Sequence, residues 1–432
     1  MIPEKFTNRM REMLGADFAA FEAALEAPAI RALRVNTIKT NSQKLIPLLP
    51  FAVKPLPFAL DAYYAPSDKV GALSAHHAGM FYMQDPSAIC TVCAATPKKG
   101  VRAIDLCAAP GGKSTQLAAA IGDTGVLVSN EYVTVRCRIL QGNVERIGAK
   151  NTVVTNLSTD ALASFYGACF DLVVADVPCS GEGMFRKYEV ASEEWSPENV
   201  QMCAARQRDI LENAAALVTP GGQLLYSTCT FSLEENEQNI DAFLSAHPDF
   251  SLIPVASAIA SVTANGINFD GAAHDLSLCR RFYPHLSPGE GQFVALLQKS
   301  ADTVCKKAAK VQSALPLPDA KTLALTRAFL SENLEQMPEG VTVTLLRDTL
   351  WLTPDLPIPS RGVFCSRCVP WHAAKGTHRA ASPICLRVRQ QLPPPRGAIK
   401  RRSLCACLPA RRGDPPHRKG VRVRQRLRCR AF

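Results

Sequence analysis

The sequence predicts an α/β protein: a doubly wound, mostly parallel sheet, preceded by a small N-terminal α+β lobe and followed by a partial C-terminal region. Three observations carry this. From Val101 to Ala246, apolar runs of about five residues alternate with helical segments of about 8–20, the pattern of strands covered by helices on both faces. A Gly-rich turn stands between the first such run and the first such helix. No run of about 18 apolar residues interrupts the alternation, so no membrane-spanning helix is expected.

The elements follow in order. Met1–Ala27 carries Phe6, Met10, Met13, Leu14, Phe18, Phe21 and Leu25 at helical spacing and stops before Pro28. Ala32–Thr40 reads as a strand, and Pro-rich text follows to about Ala65, so residues 1–70 are taken as one lobe. Val101–Leu106 reads as a buried strand, Cys107–Lys113 as its turn and Ser114–Ile121 as a helix. Gly125–Asn130, Thr152–Thr155, Phe170–Ala175 and Gln223–Ser227 are the next strands, with helices at Val133–Arg146, Glu198–Leu217 and Glu234–Ala246 between and after them. Arg281–His285 and Gln292–Gln298 flank Ser287-Pro288-Gly289-Glu290-Gly291 and read as an antiparallel hairpin closing the sheet. This places the main domain at 71–300 and a partial further domain at 301–359.

Charge divides the chain. The 432 residues carry a net +11, yet residues 360–432 hold 19 Lys and Arg against one acid, Asp414, which leaves the first 359 residues net acidic. The amino terminus, MIPEKFTNRM, lacks the apolar stretch of a signal peptide. Sixteen Cys in a chain of this length read as reduced thiols of a cytoplasmic protein rather than a disulfide framework. Cys90, Cys93, Cys137, Cys169, Cys203, Cys279 and Cys305 read as small buried hydrophobes.

The turn Asp105-Leu-Cys107-Ala108-Ala109-Pro110-Gly111-Gly112-Lys113 brings small residues and free helix N–H groups to the end of a strand, as a ligand loop requires. It is not a phosphate-cradling loop, because Cys107 stands where the leading Gly is needed, and it lacks Gly-x-Gly-x-x-Gly. Glu131 closes the second strand about 20 residues on, where such a sheet places a carboxylate for a ribose diol. Two further Cys stand apart from the others. Cys179, in Asp176-Val-Pro-Cys-Ser-Gly-Glu-Gly, and Cys229, in Ser227-Thr-Cys-Thr, follow the fourth and fifth strands, on the side where parallel sheets bind ligands. No paired Cys or His set accompanies them, so no metal is expected. Two thiols, a carboxylate and a small-molecule loop suit methylation at carbon 5 of cytosine. A thiolate adding to carbon 6 makes carbon 5 nucleophilic, a second group helps expel the enzyme, and a carboxyl at the N3 edge stabilises developing charge.

The segments DLCAAPGGKSTQLA (105–118), NEY (130–132), DVPCSGEGMFRK (176–187), YSTCTFSLEENE (226–237) and RFYPHLSPGEGQFVALL (281–297), with LRVNT (33–37) and AGMFYMQDPSA (78–88), resemble the NOL1/NOP2/Sun family of RNA 5-methylcytosine methyltransferases. The likeness is strongest to its bacterial 16S ribosomal RNA members of the RsmF type, over residues 1–300 and weakly to 359. The resemblance implies a class I methyltransferase fold, with Cys107–Lys113 binding S-adenosylmethionine and Glu131 on its ribose. It further implies Asp176 beside cofactor and base, Cys229 as nucleophile and Cys179 assisting release. On the third strand, Asn156 and Asp160 are both open as the polar cofactor contact.

RNA would be held by basic patches, among which Arg34, Lys39, Arg186, Lys187, Arg280, Arg281 and His285 are candidates, with Arg186 and Lys187 best placed for phosphates. The expected partner is 16S ribosomal RNA, free or in the small subunit, and the expected state a monomer off the membrane. Alternatives are a transfer RNA substrate, an inactive RNA-binding assembly factor, or a DNA or small-molecule methyltransferase. The stretch 360–432, with eight Pro and six Cys, reads as a basic low-order tail. Its Cys365, Cys368, Cys405, Cys407, His372 and His378 fit no known zinc spacing. Its Arg-, Pro- and Cys-rich text reads as out-of-frame translation. With one choice of codons, residues 375–387 shifted by one base give Lys-Gly-His-Ile-Glu-Pro-His-His, which resembles the family's C-terminal Lys-Gly-Arg-Phe-Glu-Pro-x-His.

Overall fold

The computed structural model describes residues 2–66, 70–304, 317–333, 341–346, 349–354, 356–359, 361–365, 371–374 and 377–380. The chain divides into two units, one from residues 1–314 and 356–367, the other from 315–355 and 368–432.

The first unit is built on a ten-stranded sheet whose central strands are β1 (Arg102–Asp105), β2 (Val126–Asn130), β3 (Thr152–Thr155), β4 (Phe170–Asp176), β5 (Val218–Thr228), β6 (Arg280–Phe282) and β7 (Gln292–Lys299). Their spatial order is β3-β2-β1-β4-β5-β7-β6, with β1 to β5 parallel and β7 antiparallel to both β5 and β6. This is the class I methyltransferase arrangement; the Arg280–Phe282 and Gln292–Lys299 strands form the antiparallel hairpin, and Ala264–Asn265 pairs outside Arg280–Phe282. Short apolar runs become buried strands because helices cover both faces. Val128, Val173, Leu224 and Ala295 from the strands meet Leu162, Leu211, Ala214 and Phe243 from the helices in one core. Strand order reverses between β1 and β4, and a crevice for ligands opens beyond the carboxyl ends of strands at such a point.

The chain outside this sheet departs from the expected elements in instructive places. The N-terminal helical stretch is two helices, Glu4–Leu14 and Phe18–Glu26, because Gly15 takes a φ of 52° and turns the chain through Gly15–Asp17. Their apolar faces pack against Phe185, Trp195, Val200, Phe231 and Tyr283, with Phe6 edge-on to Phe185 at 5.0 Å and Phe21 edge-on to Phe231 at 5.2 Å. The following strand is Arg31–Val35. It ends at Asn36, whose amide donates to the carbonyls of Gly79 (2.7 Å) and Ile147 (2.8 Å). This strand lies in an antiparallel sheet with Lys54–Pro55, Ala62–Ala65 and Phe81–Gln84. β5 starts earlier than the Gly-rich text suggests. Val218 already pairs with Phe170, residues 219–222 loop out, and pairing resumes at Leu172 with Gln223. Cys90, Cys137, Cys203 and Cys279 are buried and Cys93 and Cys169 half-buried, while Cys305 lies outside the described residues.

Val363–Cys365, within the stretch read as tail, pairs antiparallel with β3. The second unit holds the helix Ala320–Asn333 and an antiparallel sheet of Val341–Leu346, Thr349–Pro354, Trp371–Ala374 and Thr377–Ala380. Residues 381–432, including Cys405 and Cys407, lie outside the described residues, as does Cys368. Among the described residues no helix is long and apolar enough to cross a membrane, and no cluster of His, Cys, Asp or Glu could hold a metal ion.

Candidate active site

The loop 107–111 follows the carboxyl end of β1, beside β4. The Ala108 N–H donates to the Asn130 carbonyl (2.8 Å), the Arg136 guanidinium to the Ala109 carbonyl (3.0 Å) and the Asn143 amide to the Pro110 carbonyl (2.8 Å). Gly111 turns the chain into the helix Gly112–Ile121 at a φ of 114°, and a Cβ there would stand 3.2 Å from Leu140. Lys113 is therefore in the first turn of the helix. Around the loop, two buried carboxylate oxygens have no hydrogen-bond partner: Asp105 Oδ1 and Glu131 Oε2. The other Asp105 oxygen accepts from Ser114 Oγ (2.6 Å). Burial pushes the Asp105 carboxyl up to about 7 despite that bond. The other Glu131 oxygen accepts from the Val133 N–H at 2.9 Å, and Arg136 approaches Oε2 only to 3.5 Å. Burying polar atoms without partners costs free energy, so these oxygens suit a ligand that brings its own donors.

Of the two polar residues after β3, Asn156 is the structural one. Its amide donates to the carbonyls of Glu131 (2.6 Å) and Tyr132 (2.7 Å), which braces the segment bearing Glu131. Asp160 is exposed in the first turn of the helix Thr159–Tyr166.

On the β4–β5 side, Asp176 ends its strand paired with Ser227 of β5. Its carboxylate takes the Lys113 ammonium at 2.8 Å and accepts from Ser227 Oγ at 2.7 Å. Gln292 of β7 reaches the same carboxylate at 3.4 Å. Burial alone would lower the Lys113 ammonium, but the adjoining Asp176 outweighs it and holds it above the usual lysine value. The sulfurs of Cys179 and Cys229 lie 3.2 Å apart, and the Cys229 N–H also points at Cys179 Sγ (3.3 Å). The Cys179 thiol is raised well above the ordinary thiol range, first by its hydrogen bond to Cys229 and then by burial. Cys179 therefore keeps its proton and can offer it to the sulfur of Cys229.

The structure thus brings together Lys113, Asp176, Cys179 and Cys229, with the loop and Glu131 at the neighbouring strand ends. The residues expected to hold RNA have partners within the fold. Arg34 is buried and spends its donors on Gln84 (3.2 Å), the Gly112 carbonyl (3.2 Å) and Thr115 Oγ1 (2.8 Å), and burial pulls its guanidinium down to about 10. Arg186 donates to Glu290 (2.9 Å) and to the carbonyls of Ala24 (2.7 Å) and Gly289 (2.8 Å). Lys187 bridges Asp85 (2.6 Å) and Glu290 (3.5 Å). Of these three cations, Arg186 and Lys187 are each paired with a carboxylate, and Arg34 has neutral partners. Lys39 bonds the Ala78 and Arg146 carbonyls, Arg280 bonds Thr263 and the Ala260 carbonyl, and Arg281 is paired with Glu237. His285 is packed against Phe21 and Tyr283.

Sequence reading missed the carboxylates that hold the two Cys loops. Glu235 accepts from the Ser180 N–H (3.0 Å), from Ser232 Oγ (3.1 Å) and from the Gln207 amide (2.7 Å), and burial raises its carboxyl. Glu182 bonds across to the Cys229 side. Both acids sit inside the quoted segments, and an acid within an otherwise Ser-, Thr- and Gly-rich turn was the available signal.

Comparisons with known proteins identify the family. The family model for 16S rRNA methyltransferase RsmB/F matches residues 92–298, and that for the N-terminal domain of 16S rRNA methyltransferase RsmF matches residues 2–86. Ribosomal RNA small subunit methyltransferase F of Vibrio vulnificus (strain YJ016) is 31% identical over 375 residues, 84% of this chain and 78% of that protein. The protein of the same name from Klebsiella pneumoniae (strain 342) is 32% identical over 376 residues, 83% of this chain and 77% of its own. A solved structure of a methyltransferase homolog protein from Pyrococcus horikoshii superposes with a TM-score of 0.61 at 26% identity, over 69% of this chain and 95% of that one. With residues 2–86 and 92–298 matched and relatives 31–32% identical over more than four fifths of this chain, the chain belongs to the 16S rRNA methyltransferase RsmB/F family.

Proposed function

We propose that this methyltransferase forms 5-methylcytosine in 16S ribosomal RNA, through a transient bond between Cys229 and carbon 6 of the target base. The observation that carries the reading is the pair of thiols 3.2 Å apart at the ends of β4 and β5, beside the Lys113–Asp176 pair. One thiol suffices for many nucleophilic enzymes; two in contact suit a reaction in which the attacking sulfur must also leave.

S-adenosylmethionine fits the residues present, since Glu131 Oε2 is a buried acceptor that makes no hydrogen bond and would take a ribose hydroxyl. When bound it supplies an electrophilic methyl group. Cys229, having lost its proton to solvent, adds to carbon 6, and the electron pair of the 5,6 double bond moves toward the ring carbonyl. Asp176, fixed by Lys113 and Ser227, would accept a hydrogen bond from the amino group of the base, and the adjoining Lys113 ammonium would offset the negative charge that develops at N3. After carbon 5 has taken the methyl group, its hydrogen leaves as a proton to water. The carbon–sulfur bond breaks, and the Cys179 thiol hydrogen-bonds the departing Cys229 sulfur. A base inside a helix must swing out for the sulfur to reach it. The protein acts as a cytoplasmic monomer in this reading.

The experiment is methyl transfer from labelled cofactor to 16S RNA, to 30S subunits and to transfer RNA prepared from cells lacking the gene. Cys229→Ala abolishes incorporation, and Cys179→Ala accumulates a protein–RNA adduct that survives a denaturing gel. Bisulfite mapping then locates the methylated cytosine. A Cys179→Ala protein that turns over normally without an adduct overturns the roles, and incorporation only into transfer RNA overturns the substrate.

A further inference from the structure

Glu182 lies three residues beyond Cys179, fully buried at the start of the single turn Glu182–Met184. A carboxylate so placed persists only when its oxygens are hydrogen-bonded. Here Oε1 accepts from the Trp195 indole (2.8 Å) and pairs with Arg9 of the first N-terminal helix, while Oε2 accepts from the backbone N–H of Phe231 (2.9 Å). The next residue, Gly183, donates its N–H to the carbonyl of Cys229 (2.8 Å). Residues 182 and 183 therefore grip the Cys229 turn on both sides of Thr230. A third tie joins Ser180 Oγ to Thr230 Oγ1 at 2.9 Å. Gly183 has no room for a side chain, since a Cβ would stand 2.8 Å from the Gly291 backbone, so the grip cannot slide.

We propose that Glu182 is a positioning residue for the nucleophile: it clamps the Cys229–Phe231 turn where the two sulfurs meet, and through Arg9 it makes that clamp depend on the helix Glu4–Leu14. The proposal rests on Cys229 being the nucleophile. Glu182→Gln keeps one acceptor oxygen and loses the other, so either the Phe231 N–H or the Trp195–Arg9 side is left unbonded. Arg9→Met removes the ion pair to the helix and the guanidinium 5.6 Å from the Trp195 ring, while the Trp195 and Phe231 hydrogen bonds to Glu182 keep their donors and acceptors. A misplacement of about 1 Å costs on the order of 10²-fold in rate.

The test uses the full-length protein and two readouts. The first is kcat and KM with 16S RNA from cells lacking the gene. The second needs no RNA: the rate at which diamide, an azo oxidant, links Cys179 to Cys229. Two thiols lose two protons and two electrons to form one disulfide, and diamide is reduced to its hydrazide. Cys179→Ala, which cannot form the link, sets the background. Glu182→Gln is expected to lower kcat about 10²-fold and Arg9→Met about tenfold, with KM within about twofold, and to slow cross-linking in the same order. A fall in kcat with unaltered cross-linking overturns the clamp, because the sulfurs have not moved; so does an unaltered kcat. If Glu182→Gln does not fold, Arg9→Met carries the test by the same criteria. Failure of the parent reading is separate: it shows as activity retained in Cys229→Ala, whatever the cross-linking rate.

Discussion

Replacing Arg186 by Ala separates a structural cation from an RNA contact. Arg186 donates to Glu290, whose side chain is 1% exposed, and to two backbone carbonyls at 2.7 and 2.8 Å. Removing it strips a buried carboxylate of its closest cation, and breaking a buried pair from one side costs about 3–5 kcal/mol. Lys187, at 3.5 Å from the other Glu290 oxygen, holds the loss toward the lower end of that range. For a unit of roughly 320 residues the unfolding entropy is about 0.7 kcal/mol per kelvin, so Tm falls by about 4–7 °C. The slope of log K against log salt for RNA binding stays as in the wild type, because no phosphate contact is lost; a phosphate-binding Arg would reduce it by about 1. Differential scanning calorimetry and filter binding over a salt series make the two measurements. An unchanged Tm with a shallower salt slope would refute the reasoning and return Arg186 to the RNA interface.

Asp105 and Glu131 support two further expectations. The folded-state carboxyl of Asp105 titrates near 7, far above its unfolded value near 4, so the native state binds the extra proton. Its contribution to stability is therefore present below about pH 4 and lost as pH rises to about 7, a change of roughly 4 kcal/mol. Asp105→Asn removes this slope, and Tm measured at pH 5 and pH 7.5 for both proteins checks it; parallel pH dependences would sink the assignment. Glu131→Gln keeps an acceptor but removes the charge from an unpartnered buried oxygen, so S-adenosylmethionine binds about tenfold more weakly by titration calorimetry, while an unchanged Kd shows that Glu131 does not touch the ligand.

Much of the first unit was legible because its signals are local. β3 runs Thr152–Thr155 as read, and β4 ends at Asp176, since short apolar runs between turn residues have little choice but to be buried strands. Gly15 broke the first helix through a backbone conformation that periodicity does not register. The long β5 was hidden by Pro220-Gly221-Gly222, which looks like an end and is a loop inside a pairing that resumes.

The side chains divide the same way. Cys179 and Cys229 stood out by residue type and by position at strand ends, both of which the linear text contains. The fates of Arg34, Arg186 and Lys187 did not: a charge on paper is the same whether it faces solvent or a buried acid 104 residues away, as Arg186 faces Glu290. What the sequence alone determined was therefore the order of strands and helices and the chemical kinds placed at their ends, because those depend on neighbours a few residues apart. Which charges cancel one another and which carboxylates hold the two sulfurs in contact is settled by the folded arrangement, because hydrogen bonding and desolvation act between atoms close in space however far apart they lie along the chain.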